Sequence, residues 1–366
     1  MDDRTAAARM LCVGFEGTEP TPDLLDLIDR GVGGVILFSR NITSVEQLHT
    51  LTTTLKNRAA PRPLIIAIDH EGGRVMRLPK RFTHVPSMRD VGATDDVELA
   101  RNIGCVMARE LRAVNVDVNF APVLDVDTNP ANPVIGNRSF SRHPAVVARM
   151  SVALMQGLQG EGVAACGKHF PGHGDTSLDS HLALPTLPHA LERLREVELP
   201  PFKAAIDAGV ASIMTAHVIF DAVDRTVPAT MSKPVIDGLL RRELKFDGLV
   251  ISDDLEMKAI ADHFGVDRAI VASVNAGVDW LLVCHHYDVQ RGAIAAIVRA
   301  IERGELSRAR VDQAVARIER FADAFAKPPS GEDTLAIIGC DEHRAVLRGL
   351  TATATTGRDP TDYLTR

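Results

Sequence analysis

Eight short runs rich in valine and isoleucine recur along the chain, separated by segments whose apolar residues return every three or four positions. The runs cover residues 10–15, 34–38, 64–69, 116–125, 164–169, 212–217, 248–253 and 280–284. Strand and helix in alternation imply parallel strands joined by helical crossovers. The helical spacing is plain in Val45, Leu48, Leu51 and Leu55 behind the cap candidates Thr43 and Ser44. It returns in Val147, Met150, Leu154 and Leu158 after Pro144, and in Val311, Val315, Ile318 and Phe321 after Ser307. Gly31, Gly160, Gly162, Gly209 and Gly277 stand where helices must end before the next strand. Eight such units favour a single (β/α)8 barrel of the TIM type over an open doubly wound sheet, whose GxGxxG fingerprint is missing after the early strands.

A chain of 366 residues is long enough for one such domain. Periodicity stops at Pro328, Pro329, Ser330 and Gly331, so the barrel is expected over residues 1–331, with a surface tail over 332–366. A formal charge of -7 and the absence of any block of lysine and arginine argue against nucleic acid as a partner. No apolar stretch is long enough to cross a bilayer, and the opening "MDDRTAAARM" puts aspartates where a signal peptide carries positive charge. Five cysteines, Cys12, Cys105, Cys166, Cys284 and Cys340, are scattered without CxxC spacing and read as reduced thiols. The expectation is a cytoplasmic protein with no membrane partner, working as a monomer.

In a barrel the chemistry gathers at the C-terminal ends of the strands. Asp69 ends the third run and leads into "HEGGRVMRL". Asp125 ends the fourth, ahead of a loop with Asn137, Arg138 and Ser139; Lys168 and His169 end the fifth, His217 the sixth, and Asp253 with Asp254 the seventh. Some of these have plain explanations: Asp254 is equally well a helix N-cap, and His217 equally well a hydrogen-bonded core histidine. Asp253 stands directly at a strand terminus, where a rigid backbone aims its carboxylate inward.

The segment "KHFPGHGDTSLDSH", residues 168–181, is harder to explain structurally. Pro171, Gly172 and Gly174 make it a loop, and its ionisable content fits a segment that works over a pocket. Asp179 lies two residues before His181, close enough to hold one ring nitrogen and raise the basicity of the other, which makes a proton donor near neutral pH. A metal site built from His169, His173, Asp175 and His181 is the competing reading. Its weakness is that most of these ligands share one glycine-containing loop, with no HxH or HExxH pattern on a rigid element. Serine chemistry is weaker still, because no GxSxG elbow is present.

Together with "DHEGGRVMRL", "FAPVLDV", "IGNRSF" and "ISDDLEM", this segment resembles the family 3 glycoside hydrolases, and among them the single-domain bacterial β-N-acetylglucosaminidases of peptidoglycan recycling. The resemblance runs from about residue 10 to 325 with the motifs in order. It implies a retaining mechanism with Asp253 as nucleophile and His181, assisted by Asp179, as acid/base. It places sugar binding on Asp69, Arg77, Arg138, Lys168 and His169, and implies no cofactor. The implied substrate is a small soluble sugar: a muropeptide with β-linked GlcNAc on 1,6-anhydro-MurNAc, or a chitooligosaccharide. The one departure is His70, where many relatives carry glutamine. Only 4% of residues are aromatic, with Trp280 the sole tryptophan, which leaves little stacking surface for a long polysaccharide. A different sugar preference, or phosphate in place of water as acceptor, stays open at this point.

Overall fold

Eight parallel strands form the barrel in the computed structural model, which describes residues 1–180 and 183–350. They are β1 (Leu11–Val13), β2 (Gly34–Leu37), β3 (Ile65–Ile68), β4 (Val118–Asn119), β5 (Ala164–Phe170), β6 (Ser212–Thr215), β7 (Leu249–Ile251) and β8 (Leu281–Val283). Each pairs with its sequence neighbour in parallel, and β8 returns to β1 with Leu11 opposite Leu281. A bridge from Ile251 to Trp280 closes the ring. Every residue of all eight strands is buried. One face lies against the lumen and the other against the helices, so the strands read as continuous apolar runs without alternation.

The strands are shorter than the runs that announce them. Within 116–125 only Val118–Asn119 is strand. Pro122 has no N–H to donate, and Val123 meets Lys168 as a single bridge. The outer helices start where caps foretold: Ser44 accepts from Gln47 N at Val45–Ala59, and Ser307 accepts from Arg310 N at Arg308–Phe325. Pro144 opens the helix Pro144–Gly160, whose Val147, Met150, Leu154 and Leu158 are wholly buried. Each such side chain contributes about 1.5–3 kcal/mol of burial. Gly31 and Gly277 end helices at φ of 101° and 124°, where a side chain would be strained.

Trp280 is completely buried at the start of β8, so the only tryptophan is core and offers no sugar platform. Beyond the barrel, Leu335 and Ile338 are buried, and His343 Nδ1 lies 2.8 Å from Glu110 Oε1 on the helix Val97–Ala113. Residues 351–366 of the expected tail lie outside the described residues. All five cysteines are free; burial pushes the Cys166 thiol up to about 12. Among the described residues no helix is long and apolar enough to cross a membrane.

Candidate active site

A pocket opens at the C-terminal ends of the strands. Asp69, Lys168 and His169 form its polar wall, beyond β3 and on β5. Ile36, Phe38, Met214, Met257 and Leu282 supply apolar surface, and Asp253, Asp254, Cys284 and His285 come from the ends of β7 and β8. Lys168 and His169 are neighbours on one strand, and regular pleating would send them to opposite faces. The register of β5 against β6 shifts between Gly167 and Phe170, and an irregularity of that kind re-aims side chains.

Asp69 and Lys168 belong to an ion network. Lys168 Nζ lies 2.6 Å from Asp69 Oδ1 and 2.6 Å from Glu71 Oε1. Arg138 grips Glu71 with two parallel bonds of 2.8 Å, and Arg77 Nη2 stands 4.0 Å from Asp69 Oδ2. Glu71 sits in a small hairpin of His70–Gly72 with Val75–Met76, fastened because Asn119 bonds both the N–H and the carbonyl of His70. Burial alone would push the Glu71 carboxyl up, but the charges of Arg138 and Lys168 and their hydrogen bonds hold it well below the usual carboxylate range. Burial opposes the Lys168 charge too, yet Asp69 and Glu71 raise its pKa. Lys168 is therefore a fixed cation with two of its three donors engaged. His70, beside this network, is driven down to about 4 by burial and then by the charges of His84 and Arg77, so it is neutral at pH 7.

Asp125 organises the other side of β5. Its carboxylate accepts from His169 N at 3.2 Å and His173 N at 2.7 Å, and its Oδ2 is 2.7 Å from His169 Nδ1. A carboxylate is an acceptor only, so Nδ1 carries the ring proton of His169. His173 and Asp175 hold the loop together: His173 Nε2 meets Ser180 Oγ and Nδ1 meets Thr176 Oγ1, while Asp175 meets Thr128 and His189. Asn132 bonds the His173 carbonyl and Asn129 that of Thr176, tying this loop to the one after β4. Gly174 passes so close to Val126 that a Cβ would lie 1.8 Å from its carbonyl oxygen.

At the end of β7, Asp253 Oδ1 accepts the N–H of Asp254 at 2.8 Å. Asp254 is not the cap of the next helix, Lys258–Phe264, whose N-cap is Met257. Its carboxylate instead accepts from Cys284 N and Glu256 N, and Oδ2 lies 3.1 Å from His285 Nε2. His217 is fully buried, 2.8 Å from Thr230 Oγ1 and 2.9 Å from the Asp254 carbonyl, so it is a hydrogen-bonded core histidine.

Of the expected site residues, Asp69, Lys168, His169 and Asp253 thus meet in one pocket. Arg77 reaches it through Asp69, and Arg138 stands behind Glu71, 3% exposed. Asp179 is half-buried near the end of its loop. His181 lies outside the described residues. Glu71 and His285 are not foreseen from the sequence, and Asp125 is foreseen at a strand end without its role of holding His169 and His173. Glu71 follows Asp69 by two positions inside a Gly-Gly turn, and that double glycine was the available signal of a tight, functional bend.

Residues 8–321 match the glycosyl hydrolase family 3 N terminal domain. The chain is 44% identical over 270 residues to a beta-hexosaminidase of Neisseria gonorrhoeae, covering 72% of this chain and 74% of that one. It is 43% identical over 294 residues to the beta-hexosaminidase of Thiobacillus denitrificans, covering 78% and 81%. Among solved structures, a family 3 beta-N-acetylglucosaminidase from Paenibacillus superposes with a TM-score of 0.86 at 42% identity, over 98% of this chain and 65% of that one. NagZ from Neisseria gonorrhoeae in complex with N-trifluoroacetyl-D-glucosamine superposes with a TM-score of 0.77 at 34% identity, over 93% and 96%.

Proposed function

The chain belongs to glycosyl hydrolase family 3, and from that premise we propose that it is a retaining exo-β-N-acetylglucosaminidase acting on small soluble sugars. The observation that carries the reading is one pocket uniting Asp253 with the wall of Asp69, Lys168 and His169. Asp253 attacks the anomeric carbon and forms a glycosyl ester, while the imidazolium of His181, held by Asp179, protonates the departing oxygen. The neutral imidazole then takes a proton from water, which attacks the same carbon and releases Asp253 with the β configuration retained. Asp69 accepts from sugar hydroxyls, and the remaining donor of Lys168 and the Nε2 of His169 bind sugar polar groups. Arg77 and Arg138 serve sugar binding from behind the wall, by holding Asp69 and Glu71 in place.

A histidine as acid/base spares the site a second anion beside the nucleophile. The substrate is a muropeptide with terminal β-linked GlcNAc on 1,6-anhydro-MurNAc, turned over in the cytoplasm during peptidoglycan recycling; the few aromatic residues and buried Trp280 favour such a fragment over a long polymer. Trapping with a 5-fluoro GlcNAc fluoride and mapping the labelled peptide is the test, with Asp253 expected to carry the label. Hydrolysis of a chromogenic β-glucoside but not the matching GlcNAc β-glycoside would overturn the sugar assignment.

A further inference from the structure

Asp253 is steered by the residue that follows it. Because its Oδ1 accepts the N–H of Asp254, the direction of its carboxylate follows the 253–254 peptide. Asp254 is in turn gripped from both neighbouring strands. Beyond β6, His217 Nε2 donates to the Asp254 carbonyl at 2.9 Å. Beyond β8, the Cys284 N–H donates to Oδ1 at 3.3 Å, and His285 Nε2 stands 3.1 Å from Oδ2.

The residue His285 is held at its backbone and packed on one side of its ring. It lies against Phe38 with centroids 5.6 Å apart, and its backbone N–H donates to Glu256 at 2.6 Å. Glu256 also takes the N–H and Nδ1 of His286, so the whole turn after β8 is tied to the turn after β7. An aspartate needed only for local turn geometry requires one backbone donor. The Asp254 carboxylate takes Glu256 N in its own turn and also Cys284 N and His285 at the end of β8, while its backbone carbonyl takes His217 beyond β6.

We infer that Asp254, clamped between His217 and His285, is a positioning residue that aims Asp253 at the anomeric carbon. This rests on Asp253 being the nucleophile. A displacement of about 1 Å in a reacting atom costs on the order of 100-fold in rate, so the clamp acts on turnover and leaves sugar binding in place.

The experiment measures trapping by 5-fluoro GlcNAc fluoride alongside kcat and KM on a chromogenic GlcNAc β-glycoside. His285→Phe is expected to slow trapping and kcat about 100-fold with KM within about threefold. His285→Gln, whose amide N–H reaches toward Oδ2, is expected to recover most of that loss. Asp254→Asn combined with His285→Phe is expected to be no slower than the slower single variant, because both break one link. Losses that multiply in the double variant, a KM increase with unchanged trapping, or glutamine no better than phenylalanine would each overturn the clamp. Should His285→Phe not fold, His285→Ala with added imidazole replaces it: restored trapping supports the clamp and no restoration overturns it. Label on a residue other than Asp253 in the unaltered protein overturns the nucleophile and the clamp together. Label on Asp253 with unchanged rates in the variants overturns the clamp alone.

Discussion

The N-terminal end of the barrel closes donors over its buried carboxylates, whereas the C-terminal end does so for Glu71 and Asp125 but leaves others facing a pocket. At the N-terminal end, Asp279 precedes β8 fully buried and receives Arg241 at 2.6 Å, Arg310 at 2.8 Å, Arg317 at 3.4 Å and the N–H of Val250 at 3.1 Å. Asp117, ahead of β4, likewise receives Lys56, Arg112 and the N–H groups of Ile66 and Lys327. These acids are saturated by their own chain and hold helices to strands. At the C-terminal end, Asp69 has one close partner in Lys168 and a second cation at 4.0 Å, and its side chain faces a pocket. The same residue type serves as a rivet where donors close over it and as a reagent or binding group where one side stays open.

Four substitutions probe that division. Asp253→Asn should cut kcat on the order of 10⁴-fold, read by steady-state assay, while the melting temperature stays near that of the unaltered protein. Asp279→Asn strands three arginines and should cost about 3–5 kcal/mol in urea denaturation, with kcat of the folded fraction unchanged. Loss of turnover in folded Asp279→Asn would break the division. Glu71→Gln should do some of both: about 3 kcal/mol of stability, because Arg138 and Lys168 lose their shared anion, and about a tenfold rise in KM from the loosened Lys168.

The smallest effect belongs to His70. Burial holds its pKa at about 4 against the ordinary histidine value of 6.5, so between these values the unfolded chain binds a proton that the folded chain refuses. Stability is therefore unaffected above about pH 6.5 and declines as pH falls below it. By pH 5 the loss is about 2 kcal/mol, and His70→Gln should remove that part of the acid sensitivity when denaturation is compared at pH 7 and pH 5.

The barrel was legible because burial on both faces writes each strand as a valine and isoleucine run, and capping residues such as Ser44 and Ser307 mark helix starts by local chemistry. Strand ends were less legible, since a run such as 116–125 stays apolar beyond Asn119, where regular strand gives way to scattered bonds around Pro122. Residues at strand termini, Asp69, Lys168 and Asp253, could be placed from position alone. Asp125 could be placed at a strand end but not given its partner, and Glu71 could not be placed at all, since their importance lies in pairing with His169 and Arg138, far along the chain, which no local pattern records. His285 stands just past β8 but looks like an ordinary loop histidine until Asp254 is seen opposite it.

The loop after β5 is laced to the loop after β4 through Asn129, Asn132, Thr128 and Asp125. The two therefore travel as one cassette. A chimaera that imports only one of them to accept a bulkier leaving group would confront Asp125 and Asn132 with foreign partners, whereas exchanging both preserves the lacing and leaves the cylinder beneath untouched.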